Sequence, residues 1–284
     1  MRRKHLFEWE DQRWFPSSLR DLITDHLRSA LSSPLTKSLR ETVCDVLEGP
    51  LRRSKSTRIV DVCSGAGGPL PAVFAQLAER VGRPLTATLT DLYPNERAFE
   101  RIENEFSGGI RGHAGAVSAF DVPGELGSFQ TLFTCFHHFQ PADATRILAD
   151  AAAKHRTIVI FEPFRRRDMV FVAIATLARG IVLTPFVGPM TIARFLWTYP
   201  IPVSAMLFAW DGVVSCFRAY EPDEMLALAN DAAPTGYRWH AGRMPVPYSP
   251  VRLCITYLIG EPHEARDSVA LPLASSFQCS PALH

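Results

Sequence analysis

The 284-residue chain lacks an excess of either charge, with 30 lysines and arginines against 29 aspartates and glutamates. That balance gives no electrostatic case for nucleic acid as a main partner. Its six cysteines include no Cys-x-x-Cys pair, which removes zinc-ribbon and dithiol redox readings. Scattered free thiols fit a reducing, cytoplasmic setting. A secretory leader is not expected, because Arg2, Arg3 and Lys4 are followed by no apolar run. A membrane span is not expected either. The most apolar part, from Asp168 to Phe217, is interrupted by Arg179, Arg194, Asp211, Pro185, Pro189, Pro200 and Pro202, short of the ~18 unbroken apolar residues a span needs. Missing too are the Gly-x-Gly-x-x-Gly and Gly-Lys-Ser/Thr phosphate loops and the Gly-x-Ser-x-Gly elbow. No His/Asp/Glu group has metal-ligand spacing, so no metal is expected.

What is present begins at Arg58. Ile59, Val60 and Val62 are β-branched and suit a buried strand around Asp61. Cys63-Ser64-Gly65-Ala66-Gly67-Gly68 then forms a turn in which glycine lets backbone approach a ligand. Leu70, Val73, Phe74, Leu77 and Val81 follow at helical spacing, with Gly82 as a stop. Further strands are expected over Leu85 to Thr90, Ala114 to Phe120, Phe129 to Phe136 and Thr157 to Phe161. They deliver Asp91, Asp121, the His137-His138 pair and Glu162 at their carboxyl ends, where open α/β sheets bind ligands. Asp91 lies at about the ~20-residue distance after the turn expected of a carboxylate that grips a ribose diol. Helices are expected to open at Pro94, Pro141 and Pro222. The alternation of strand and helix calls for a parallel sheet with right-handed crossovers.

Before the first strand, Leu19 to Leu31 and Leu35 to Leu47 mark two helical faces, the second stopped by Gly49-Pro50. Arg52-Arg53-Ser54-Lys55 reads as a solvated connection. Phe7, Trp9, Trp14 and Phe15 lie among Glu8, Glu10 and Asp11, an aromatic anchor packed on the body or a lid over a ligand. The apolar stretch from Asp168 onward is a substrate chamber, a set of packing helices, or a dimer or membrane-surface contact. Gly236 to Met244 and Val251 to Ile259 read as two last strands.

The Asp61–Gly67 turn, followed by the Asp91 strand end, resembles the class I S-adenosylmethionine-dependent methyltransferases, over roughly residues 55 to 165. Cys63 stands where that family's motif has its first glycine. The resemblance implies a Rossmann-like, seven-stranded, mostly parallel α/β sheet with an antiparallel C-terminal hairpin. It implies a helical cap over 1–50, the methyltransferase domain over 51–260 with an apolar insertion at 168–235, and a polar tail over 261–284. It implies S-adenosyl-L-methionine as cofactor, held by Asp61, Cys63, Gly65, Gly67, Asp91, Leu92, Asp121, Val122, Cys135 and Phe136. The turn holds no lysine or arginine, as suits a cationic sulfonium rather than a phosphate.

Candidate bases are His137, His138 and Glu162, with an ion pair to Arg165, Arg166 or Arg167 as the alternative for Glu162. Trp14, Trp197, Tyr199, Trp210 and Asp211 are candidates for contact with a small, largely apolar acceptor, and Asp211 could equally cap a helix. The family's Asn-Pro-Pro-Tyr/Phe motif is absent, which argues against amide or exocyclic-amine methylation of protein or nucleic acid. Two rivals stand beside this reading: a nicotinamide-dependent oxidoreductase, for which no Tyr-x-x-x-Lys relay is visible, and a non-catalytic scaffold whose apolar insertion meets a membrane or partner. A homodimer stays open.

Overall fold

The computed structural model describes residues 2–9, 11–12, 14–16, 19, 22, 26, 36–187, 190–200, 202–233, 235–248 and 253–263. The expected helix over Leu19 to Leu31 and most of the polar tail lie outside the described residues. Seven strands form one sheet: β1 (Arg58–Val62), β2 (Thr86–Leu89), β3 (Ile110–Gly112), β4 (Phe129–Phe133), β5 (Thr157–Glu162), β6 (Tyr237–Pro245) and β7 (Cys254–Pro262). Their order is β3-β2-β1-β4-β5-β7-β6. The first five pair in parallel. β7 is antiparallel to both β5 and β6. This is the mostly parallel sheet with a C-terminal hairpin expected from the sequence.

The described helices are α1 (Lys37–Ser54), α2 (Leu70–Val81), α3 (Glu96–Glu105), α4 (Pro141–Ala153), α5 (Met169–Val182), α6 (Ile192–Thr198), α7 (Val203–Arg218) and α8 (Pro222–Ala232). The two-residue period of a strand divides the core between the faces of the sheet. Ile59, Phe129, Val159 and Ile255 meet Leu47 and Leu51 of α1, Leu70 and Leu77 of α2, and Ile102 of α3. Val60, Leu132, Ile158 and Leu258 meet Ile147 and Leu148 of α4 and Met225 of α8. β5 is buried at all six positions, as a strand covered on both faces must be.

Four expectations are corrected. α1 is not stopped by Gly49-Pro50 but runs on to Ser54 with Pro50 inside it. A proline within a helix costs about 3 kcal/mol. Carrying the helix on buries Leu51 completely, worth about 1.5–3 kcal/mol. Arg52 and Arg53 in that last turn pair with Glu48 at 2.9 Å and Glu261 at 2.8 Å, so they are no loose connection. α3 is opened not by Pro94 but by Asn95, whose Oδ1 accepts from the Ala98 amide at 3.1 Å. The third strand is Ile110–Gly112 rather than Ala114 to Phe120. Buried Ile110 fixes it beside β2, and a Cβ at Gly112 would stand 2.4 Å from that of Phe99, so only glycine lets α3 lie this close.

The chain winds outward from β1 to β3 on one side and from β4 to β5 on the other. Where the direction reverses, the crossovers diverge and leave a crevice at the carboxyl ends of β1 and β4. No single described helix is long and apolar enough to cross a membrane. α6 and α7 pass that test only as a pair bent by 65°.

Candidate active site

At the end of β1, Asp61 is buried and fully engaged. Thr131 Oγ1 donates to its Oδ1 at 2.6 Å and Ser64 Oγ to its Oδ2 at 2.7 Å. Burial raises its pKa to about 7, against the lowering effect of those two hydroxyls. The turn that follows is left-handed at Cys63, Gly65, Gly67 and Gly68. At Gly67 the φ of +112° is strained for any L side chain, and a Cβ would lie 2.2 Å from Ile102 Cδ1, which would have to move. Cys63, at φ +58°, occupies the left-handed conformation that glycine adopts without strain. Thr134, just past β4, is left-handed too, at φ +53°. A β-branched residue there is a conformational outlier, and it faces the same crevice end of the sheet as Cys63.

Asp91 ends β2 beside this turn. Its Oδ2 accepts from the Gly65 amide at 2.8 Å and its Oδ1 from the Tyr93 amide at 2.9 Å. A carboxylate has about four acceptor positions, so about two remain for a ligand. Leu92 and Tyr93 are exposed at this edge. Cys63 and Cys135 interact through their thiols across the ends of β1 and β4, and this contact together with burial pushes the Cys135 thiol well up.

Beyond Cys135 the chain makes a short helical turn, Phe136–His138. Phe136 and His137 are buried and His138 is partly open. Glu162, the last residue of β5, grips His137 twice. Its Oε1 accepts from the His137 amide at 3.0 Å and its Oε2 lies 2.7 Å from Nδ1. A carboxylate only accepts, so Nδ1 carries the hydrogen and Nε2 presents a lone pair. That Nε2 is buried without a hydrogen-bond partner. The alternative pairing of Glu162 with the following arginines does not occur: Arg165 pairs with Asp168 and Arg166 with Glu224.

The N-terminal residues complete this edge. Arg3 donates to the carbonyls of Arg218 (2.6 Å), His137 (3.1 Å) and Phe139 (2.9 Å). Arg218 Nε donates to the Leu6 carbonyl at 2.6 Å and the Trp9 amide donates to Asp211 Oδ1 at 2.8 Å. This strap carries Glu8 and Asp11 to the histidines. Asp11 Oδ1 is 2.9 Å from His138 Nδ1, and Arg218 donates to Asp11 Oδ2 at 2.7 Å. Burial would raise Asp11, but hydrogen bonding and charge from His138, then from Arg218, hold it below the ordinary carboxylate range. Glu8 is buried and accepts from Ser215 Oγ at 3.0 Å. Burial raises it to about 7, outweighing the opposing charges of His138 and Arg218.

The crevice edge therefore gathers Asp61, Cys63, Gly65, Gly67, Asp91, Cys135, Phe136, His137 and Glu162. It does not gather Asp121. That side chain is exposed and takes Lys154 Nζ at 2.6 Å, while Val122 is buried. The cause is Arg156, a buried guanidinium that collects the carbonyls of Val122 (3.0 Å), Pro123 (2.5 Å) and Gly127 (3.0 Å) and draws this connection toward the amino ends of β4 and β5. The Val117 amide, donating to the Asp91 carbonyl at 2.8 Å, puts Val117 and Ser118 nearer that edge instead.

Asp211 neither caps a helix nor opens into a chamber; it lies buried within α7 and holds the strap. Trp14 and Trp210 join the strap's aromatic cluster, with Trp14 5.8 Å from Trp9 and Trp210 5.7 Å from Phe7 between ring centroids. Trp197 and Tyr199 are part-exposed on and after α6, away from that cluster. Of α5, only Gly180 is buried, so the insertion turns apolar side chains outward rather than around a closed chamber. The expectation that no metal-ligand group exists also changes, since ligand atoms of Glu8, His137 and His138 lie within 4.8 Å of one another. Their sequence spacing hides this because Glu8 arrives from the other end of the chain. Its signal was a carboxylate set between Phe7 and Trp9.

No family model matches the chain, and no curated protein matches it. Among solved structures it is similar to an O-methyltransferase family protein from Burkholderia thailandensis, at 15% identity and TM-score 0.44, covering 80% of this chain and 57% of that one. It is similar to the plantazolicin methyltransferase BamL, solved with a triazolic desmethylPZN analog and SAH, at 10% identity and TM-score 0.48, covering 86% and 98%. It is also similar to a SAM-dependent methyltransferase from Aquifex aeolicus, at 15% identity and TM-score 0.45, covering 87% and 99%.

Proposed function

We propose that the chain transfers the methyl group of S-adenosylmethionine to a small, largely apolar acceptor at oxygen, nitrogen or carbon. The observation that carries this is the Asp91 carboxylate, anchored on the Gly65 amide at 2.8 Å with acceptor capacity to spare, beside a glycine turn that holds no cationic side chain. A ribose diol fits the free carboxylate positions, and a positively charged sulfonium fits a turn without lysine or arginine. When bound, the cofactor supplies an electrophilic methyl group. The protein's own work is to hold the acceptor in line with it and to keep water out, and orientation of this kind is worth on the order of 7 kcal/mol.

His137 is the base in this reading. Glu162 takes its Nδ1–H at 2.7 Å and so leaves Nε2 as the nitrogen that can accept a proton from an acceptor hydroxyl. Calorimetric titration with S-adenosylmethionine, with NADPH alongside and Asp91→Ala as control, tests the assignment. Micromolar binding of the sulfonium cofactor that is lost in the variant supports it, and binding of NADPH alone replaces it with the oxidoreductase. A second reading, a non-catalytic scaffold, is favoured by the outward apolar side chains of α5 and α6, and silence with both cofactors would leave it standing.

A further inference from the structure

The mechanism above uses His137 and Glu162 and leaves Glu8, Asp11 and His138 without a task. We propose that Glu8, His137 and His138 form a binding site for a divalent transition-metal ion of the Zn2+ type. Two imidazoles and one carboxylate are a donor set that such ions take, usually with a further position open.

Geometry points to the ion. His137 Nε2 is 3.9 Å from Glu8 Oε1, and His138 Nδ1 is 3.4 Å from Glu8 Oε2. Donors about 2.0–2.2 Å from a tetrahedral centre stand roughly 3.3–3.5 Å apart, so a small swing of the Glu8 side chain closes the set. Both separations are those of charge pairs without a short hydrogen bond, and they lie close to the spacing that coordination needs.

A second observation is independent of the spacing. His137 is 99% buried by its 1% side-chain exposure, and its Nε2 has no partner although it points toward Glu8. A buried lone pair left empty costs about 1–3 kcal/mol. Glu162 completes the usual second layer of such a site, since a carboxylate on the far ring nitrogen of a ligating histidine fixes its tautomer and strengthens it as a donor. His138 Nδ1 already meets Asp11 Oδ1 at 2.9 Å, so it joins the set by exchanging that partner for the ion.

The opposing charges are accounted for. Arg218 Nη1 is 3.5 Å from Glu8 Oε1 and 3.3 Å from His138 Nδ1, and an ion takes its place there while it keeps Asp11 at 2.7 Å; Arg3 spends its guanidinium on three carbonyls. Glu8 keeps a hydroxyl donor from Ser215 at 3.0 Å. Ligands bind a metal in their deprotonated form, so an ion and a proton compete for one place. The same competition takes the His137 lone pair, so an occupied site cannot also use His137 as a base.

The test is titration of the full chain, stripped with EDTA, with ZnCl2 by calorimetry in two buffers of different ionisation heat, and with CoCl2 by visible spectroscopy. One equivalent bound with proton release, and ligand-field bands of low-coordinate cobalt, are expected. Glu8→Gln should lose most of this binding and Glu162→Gln should weaken it about 10–100-fold. His240→Gln, at an exposed position, should leave it unchanged. If Glu8→Gln does not fold, His138→Asn serves in its place. Equal binding by wild type, Glu8→Gln and Glu162→Gln assigns the ion to surface histidines and overturns the site, as does no binding at all. Cofactor titration is a separate readout, so failure here leaves the methyl-transfer reading untouched, and the reverse.

Discussion

Two apolar regions of this chain behave in opposite ways. Between β1 and β5 the aliphatic residues go inward: Ile59, Val60, Phe129, Leu132, Ile158 and Ile160 are all buried to within a few per cent. Between Met169 and Trp210 they go outward: Val170, Ile174, Val182, Phe186 and Ile192 are exposed, the last two at 81%. The difference lies in what each element has to bury. A strand of a parallel sheet is covered on both faces by helices that the chain itself supplies. α5 packs mainly on α7 and is apolar all round, so among the described residues several of its apolar side chains stay exposed. Contiguous apolar surface of that kind marks contact with something else, whereas single exposed residues mean little.

The comparison can be broken by truncating one residue from each region. Phe129→Ala is expected to cost about 3–5 kcal/mol in urea denaturation, and Phe186→Ala less than about 0.5 kcal/mol. Equal losses would show that the insertion is packed after all. The crevice end of the sheet should show itself through pH. Burial raises Glu8 and Asp61 each to about 7 from ordinary values of 4.5 and 3.8. Between those limits the folded chain holds protons that the unfolded chain has released, so metal-free stability falls as pH rises from about 4 to about 7. Each group contributes on the order of 3 kcal/mol. Glu8→Gln should therefore be more stable than wild type at pH 8 and no more stable at pH 4, and the opposite trend would remove the buried carboxylate from the account.

A smaller effect is expected at Thr134. Thr134→Gly relieves a left-handed β-branched residue and should add about 1 kcal/mol, read as a higher melting temperature. A loss instead would mean that its side chain matters more than its backbone. The smallest effect on stability belongs to the insertion surface. Ile174→Ser combined with Ile192→Ser should leave the melting temperature within a degree or two, while lowering the fluorescence of a bound apolar dye and any self-association at high concentration. Unchanged dye binding would place the accessible apolar surface elsewhere.

How far the sequence could be read follows from locality. The β1 turn, α2 and Asp91 were legible because strand pattern, glycines and acid all fall within a short run. The seven-stranded sheet followed from the alternation of strand and helix and from the family resemblance. Asp121 was hard to place because its partner Lys154, and Arg156 on the neighbouring carbonyls, meet this connection only in three dimensions. Pro50 misled because the local cost of proline was visible and the burial of Leu51 against the sheet was not. The direction of α5 was hidden for a plainer reason: with apolar residues on every side, its composition marks no inner face. Glu8, Asp11 and Arg218 were out of reach as partners, being joined to the histidines from opposite ends of the chain.

That joining has a consequence for synthesis. All five parallel strands have been made once residue 162 is complete, so the nascent chain can form the sheet and the Asp91 corner while still being translated. Glu8 has been waiting since the first moments, but the side chains that seat it, Asp211, Ser215 and Arg218, come more than forty residues after Glu162. The histidine edge therefore matures late, and a ribosome stalled before that point would carry at most the five parallel strands, without β6 and β7 and with an unfinished site.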